Sequence, residues 1–150
     1  MGRHAPASLR PISLELCCGH AGLIAALYDR GFEAIGVDWK GNKHEAVIPI
    51  VVADLTSEHG QQLVMRILQQ GRVRYVHMGP PCGTASRARE RRIPAWLRKR
   101  GAPDPKPLRS IKRPEGLLRL AEYNPTEAAK VASANVIYNF CVRVALHCLE

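Results

Sequence analysis

A chain of 150 residues with 46% hydrophobic content suits one globular domain with one core. No apolar run approaches the roughly 18 residues of a membrane span, and the opening residues 1–11 lack the apolar centre of a secretory signal. The formal net charge of +9 is localised: residues 87–113 hold eleven Lys/Arg against two acids, and the rest holds eleven of each. Five cysteines, an odd number without a Cys-x-x-Cys pair, give neither a disulfide framework nor a zinc site. The expectation is an intracellular protein of a reducing compartment, nuclear or cytoplasmic, with no metal.

Residues 1–11 read as a disordered lead-in. Ile12-Ser13-Leu14-Glu15-Leu16 alternates and reads as a first strand, followed by a tight loop, Cys17-Cys18-Gly19-His20-Ala21-Gly22. Leu23 to Arg30 reads as a short helix closed by Gly31. Phe32 to Val37 is a second strand with Asp38 and Trp39 at its carboxyl end, and Ala46 to Ala53 a third, weakened at Pro49 and ending on Asp54. Ser57 to Gln70 is an amphipathic helix with Leu63, Val64, Ile67 and Leu68 on one face and Gly71 as its stop.

Val73 to Met78 gives a fourth strand. It runs into Gly79-Pro80-Pro81-Cys82, where two prolines fix φ and remove two backbone donors, stiffening the turn that presents the Cys82 thiol. Residues 87–114 contain five prolines, so regular structure there is limited to one helical turn or two within Ile93 to Arg100. From Thr126 a long helix runs to about Leu149, with Cys141 and Cys148 expected in the core. The chain stops on that helix where a fifth strand is expected, which reads as an incomplete domain.

Strands alternating with helices argue for βαβ units and a parallel sheet. In such sheets the ligand lies beyond the carboxyl ends of the strands, near the point where strand order reverses. The glycine-rich loop after Glu15, Asp38, Asp54 and Cys82 all fall at strand carboxyl ends, which points to one site. The basic segment suits a polyanion, nucleic acid first.

The run Glu15 to Gly22, then Gly31-Phe32, Asp38-Trp39, Asp54 and Gly79-Pro80-Pro81-Cys82, resembles the first half of a cytosine-C5 DNA methyltransferase. The resemblance covers residues 12–86 and implies a Rossmann-like α/β fold that binds S-adenosylmethionine. It implies that Gly19 and Gly22 approach the methionine part, Asp38 accepts from the ribose hydroxyls, Trp39 packs on the adenine and Asp54 accepts from its amine. Glu15, Cys17 and Pro80 complete the implied cofactor site. Cys82 is the implied nucleophile, its thiolate favoured by Arg87 and Arg89 and adding to carbon 6 of a flipped cytosine so that carbon 5 can take a methyl group. Arg87, Arg89, Arg91, Arg92, Arg98, Lys99 and Arg100 are the implied contacts to DNA or another nucleic acid.

The sequence departs from that pattern at Glu15, Cys17, Ala21, Gly83 and Ala85, and no Glu-Asn-Val motif follows the cysteine. Other readings of the same residues stand beside the resemblance. Asp38 and Asp54 can cap the segments that follow them, Trp39 can be a half-buried anchor, Cys18 a core residue, and His20 and His44 solvated side chains. A second functional class is a catalytically degenerate nucleic-acid-binding module that keeps the fold. A nicotinamide-dependent enzyme is a third, opposed by Ala21 in the middle of the glycine loop.

Overall fold

The computed structural model describes residues 10–149, so most of the expected lead-in lies outside the described residues. The chain divides into two compact units, one of Met1–Pro80 with Ile137–Glu150, the other of Pro81–Val136. Composition suggested one core; the structure has two.

The first unit is α/β. Strands β1 (Ile12–Leu16), β2 (Glu33–Asp38), β3 (Val51–Val52) and β4 (Val73–Met78) form a four-stranded, all-parallel sheet in the order β3-β2-β1-β4. From β1 the chain builds outward to β2 and β3 and then returns to the other side of β1, so strand order reverses between β1 and β4. This arrangement is compatible with a Rossmann-like fold.

Helix α1 (Gly22–Asp29) links β1 to β2 and ends at Gly31, whose φ of +81° suits a residue without a Cβ. Helix α2 (Glu58–Gln69) links β3 to β4. Its cap is Ser57, whose Oγ accepts from the Gly60 N–H at 3.1 Å and satisfies one of the first-turn donors. The buried face of α2 carries Val64, Ile67 and Leu68, which pack with Leu14 and Leu16 of β1 and Val37 of β2. Phe140 and Val144 join this core from α5 (Pro125–His147), a helix shared in sequence between the two units. Each such apolar side chain contributes roughly 1.5–3 kcal/mol by leaving water.

The third strand is far shorter than the expected Ala46 to Ala53. Pro49 has no N–H to donate to a ladder, and residues upstream turn elsewhere: the Val47 N–H donates to the His20 carbonyl at 3.1 Å. Cys141 is buried as expected, whereas Cys148 is exposed on the last turn of the chain's long helical segment. At 3.6 residues per turn, two cysteines seven apart share a face, but the core ends at Val144.

The second unit contains two short 3₁₀ turns, Cys82–Thr84 and Arg87–Glu90, helix α3 (Ala95–Lys99), helix α4 (Leu120–Tyr123) and the first part of α5. Leu108, Leu120 and Val131, with Ala128 against them, form its small core. Among the described residues no helix is long and apolar enough to cross a membrane.

Candidate functional site

The carboxyl ends of β1 and β2 are joined by a polar network centred on Asp38. This last residue of β2 is buried, and its Oδ2 accepts from the Gly19 N–H at 2.7 Å and from Asn42 Nδ2 at 3.3 Å. Its Oδ1 accepts from the Trp39 N–H at 2.8 Å. Asn42 Nδ2 also donates to the Gly19 carbonyl at 2.7 Å, so both polar groups of that peptide neighbourhood are held from β2 and its turn. Three donors occupy the carboxylate, which has about four acceptor directions. Asp38 is therefore first of all the brace of the glycine loop, with one acceptor direction left.

The loop needs a brace. Cys17, Gly19 and Ala21 all have left-handed backbones, with φ of +56°, +55° and +60°. Glycine adopts this freely, but Cys17 and Ala21 each cost of order 1 kcal/mol or more and persist where neighbours over-determine them. A Cβ built on Gly19 would meet nothing within 4 Å, so Gly19 faces open space. Gly22 is exposed at the start of α1. Gly79, at the end of β4, donates its N–H to the Leu16 carbonyl at 2.9 Å, and a Cβ there would lie 3.3 Å from the Cys17 carbonyl. Gly79 and the half-buried Pro80 thus stand beside the glycine loop, where strand order reverses.

Glu15 is buried on β1, directly across from His77 of β4. Its Oε1 lies 3.1 Å from His77 Nδ1, while its Oε2 has no hydrogen-bond partner among the described residues. A buried carboxyl oxygen without a partner is costly. Cys18 sits on the same side of the sheet, its Sγ 3.0 Å from where a Gly36 Cβ would be, and burial pushes its thiol up to about 11, aided by Asp38 and Glu15.

Cys17 was expected in the cofactor site. Instead it packs against the main core, and burial first, then Cys141, Asp38 and Cys18, push its thiol up to about 12. The αL backbone at Cys17 reverses the direction its side chain would take in a continuing strand, and an apolar thiol is content in the core. Trp39 is exposed, not a half-buried anchor, and its ring lies over Gly41, where a Cβ would meet it at 2.4 Å. Asp54 is exposed; its Oδ1 accepts from the Thr56 N–H at 2.8 Å and the Thr56 hydroxyl at 2.7 Å, a turn that leads into α2. His20 and His44 are exposed.

The second unit positions Cys82. Its carbonyl accepts from the Ala85 and Ser86 N–H groups at 2.9 and 2.8 Å, closing the turn, and the residue is exposed. Thr84 is buried, and Arg109 donates to its Oγ1 from Nε at 3.2 Å and Nη2 at 3.0 Å. Arg109 also reaches Asn135 Oδ1 at 2.6 Å. Arg89 donates to the Gly83 carbonyl at 2.6 Å and to Glu127 Oε2 at 2.7 Å. Arg89, expected among the nucleic-acid contacts, thus has its guanidinium held within the unit and its charge offset by Glu127. Arg87 pairs with Glu90 at 3.5 Å on the surface. Neither arginine is thus a free charge at the thiol.

The remaining expected contacts, Arg91, Arg92, Arg98, Lys99 and Arg100, are all exposed. Arg100 stacks on Trp96, its Cζ 5.6 Å from the ring centroid.

Compared with known proteins, the chain matches no family model, no curated protein and no solved structure.

The network around Asp38 was only half legible. Asp38 announced itself as an acid at a strand end, but Asn42 and His77 did not. The one signal for Asn42 was its Gly41-Asn42 pair, a turn dipeptide four residues beyond the acid. His77 lay in a strand whose partner register the sequence leaves open.

Proposed function

We propose that this chain is an S-adenosylmethionine-dependent methyltransferase of the cytosine-C5 type, its first unit taking the cofactor and its second carrying the nucleophile Cys82 and a nucleic-acid-binding surface. The observation that carries the reading is the Asp38 carboxylate seated on the Gly19 N–H. A phosphate-binding glycine loop needs free N–H groups and a positive field. Here the N–H is taken and a negative charge stands in front of it, which repels the pyrophosphate of a dinucleotide.

The same acids suit a phosphate-free, positively charged cofactor. The partnerless Oε2 of Glu15 fits an ammonium group; the remaining acceptor direction of Asp38 fits a ribose hydroxyl; the exposed Trp39 ring fits an adenine face. Asp54 adds an acceptor at the end of β3. When bound, S-adenosylmethionine supplies an electrophilic methyl group. Cys82 contributes an exposed sulfur on a closed turn, and as thiolate it forms a bond to carbon 6 of cytosine, moving electron density to carbon 5. The base must leave its stack to reach that sulfur.

One observation favours the second reading, a nucleic-acid-binding module without turnover. Among the described residues, Glu90, Glu115, Glu122 and Glu127 of the second unit are all paired with arginine, and Asp104 accepts from the Ile93 N–H. No carboxyl group of that unit is left uncommitted to protonate a bound base.

Equilibrium binding of S-adenosylmethionine to the full chain and to Asp38→Ala tests the cofactor assignment, and trapping on 5-fluorocytosine DNA tests Cys82. Saturable binding weakened by the substitution, with a Cys82-dependent covalent adduct, supports the enzyme. Cofactor binding without an adduct favours the module, and no cofactor binding by a folded chain removes the methyltransferase reading.

A further inference from the structure

We propose that the second unit takes nucleic acid through unpaired nucleotides, with a base stacked on the indole of Trp96. This rests on the nucleic-acid part of the function proposed above. It is carried by the segment Pro94 to Gly101.

Helix α3 begins after Pro94, whose fixed φ suits a helix start. The four-residue spacing of Trp96 and Arg100 puts both side chains on one helical face, and the guanidinium covers one side of the ring at 5.6 Å. Trp96 nevertheless stays 58% exposed. A flat apolar surface of that size left in water has much to gain from a stacking partner.

The platform is fixed by its backbone. The Leu97 and Arg98 N–H groups donate to the Pro94 carbonyl at 3.0 and 3.3 Å, and the Gly101 N–H to the Arg98 carbonyl at 2.9 Å. Gly101, with φ of +82°, ends the turn, and Ala102 folds its N–H back to the Leu97 carbonyl at 3.2 Å. At the entry, the Ile93 N–H donates to Asp104 Oδ1 at 2.9 Å. Trp96 therefore stands on a short, closed loop instead of a free tail.

Charge decides the partner. Arg91, Arg92, Arg98 and Lys99 are exposed, and none forms an ion pair among the described residues. Exposed cations flanking an exposed aromatic residue in sequence offer phosphate attraction beside base stacking, the pairing used on single strands. A duplex would engage the same cations through its phosphates but keep its base faces inside the stack, leaving the ring idle. The ring is the part of this surface that a duplex does not use.

The test measures fluorescence anisotropy of labelled oligothymidine and oligouridine strands of about 20 nucleotides, and of a duplex of that length, with the full chain. The chain is used as wild type, Trp96→Ala, Trp96→Phe and Arg98→Ala/Lys99→Ala, each checked for folding by circular dichroism. The expected result is tighter binding of single strands than of duplex, weakened about tenfold by Trp96→Ala and largely restored by Trp96→Phe, with duplex binding unmoved. A loss on either single strand supports the inference, and the strand affected tells DNA from RNA. Single-strand binding indifferent to Trp96→Ala, with all probes weakened alike by the double variant, overturns stacking and leaves the nucleic-acid reading standing. No binding of any probe by the folded chain removes both.

Discussion

Asp38 Oδ2 accepts a 2.7 Å hydrogen bond from the Gly19 N–H, nineteen residues earlier in the chain. That bond ties the end of β2 to the strained loop after β1, and the stability of the loop passes through it. Asp38→Ala removes an acceptor serving three donors in a buried place. Unfolding in urea is expected to show a loss of about 2 kcal/mol. Asp38→Asn keeps an oxygen for the Gly19 N–H and should lose less.

Glu15→Gln separates ligand binding from folding. The carboxyl group has one oxygen near His77 and one without a partner. Removing its negative charge should change stability by less than about 1 kcal/mol, because the buried group is only half satisfied in the free protein. On the proposed cofactor reading, S-adenosylmethionine affinity, read by calorimetry, should fall about tenfold through loss of a charge-assisted contact.

Two glycines give opposite expectations for one added methyl group. A Cβ on Gly60 would stand 2.1 Å from the Asp54 carbonyl oxygen, whereas one on Gly83 meets nothing within 4 Å. Gly60→Ala should force α2 off its turn and cost about 1–3 kcal/mol. Gly83→Ala should leave the denaturation midpoint within experimental scatter.

The thiols divide by burial. Cys82 and Cys148 are exposed, whereas Cys17, Cys18 and Cys141 have their thiols pushed up by burial. A colourimetric thiol reagent at pH 8 should therefore label Cys82 and Cys148 rapidly and the other three on unfolding. The same shifts set a pH dependence. Above pH 9.0 the unfolded chain releases these protons, while folded Cys18 holds its proton to about 11 and folded Cys17 to about 12. The native state then binds more protons, so stability is full below pH 9 and falls as pH rises toward 11–12. Cys17→Ala and Cys18→Ala should each flatten the slope of denaturation midpoint against pH.

Two arginines two residues apart should behave differently. Arg89→Ala breaks a largely buried pair with Glu127 and frees the Gly83 carbonyl, costing about 1–3 kcal/mol of stability. Arg91→Ala should stay within about 0.5 kcal/mol in stability, and on the proposed nucleic-acid reading should lower the salt dependence of binding by about one phosphate contact. Denaturation and salt-titrated anisotropy on the same two variants check both halves.

Much of the first unit was legible beforehand. The alternation of Ile12 to Leu16, the helical face of Val64, Ile67 and Leu68, and the stops at Gly31 and Gly71 are local signals. Local hydrogen bonding reproduces all three, and burial is one-sided on α2 but not on β1, where all five residues are buried. The third strand is shorter than its apolar run because Val47 finds a competing partner at His20, which the run itself does not reveal. The environment of Arg89 was illegible for a similar reason. A basic run announces net charge, but whether one guanidinium faces solvent depends on a carboxylate 38 residues away.

The sequence by itself determined the parallel α/β character of the first unit, the placement of acids at three strand ends, the stiff Gly79 to Cys82 turn and the basic segment after it. Each follows from residue type and near-neighbour spacing, which act over a few residues. Tertiary structure alone decided that Asp38 braces Gly19, that Glu15 keeps one oxygen without a partner, that Cys17 turns to the core, and that Trp96 stands exposed under Arg100 while Arg89 is tied down. Most of these outcomes depend on strand register, and on the desolvation and hydrogen-bond partners that packing imposes, and such partners are distant in the chain.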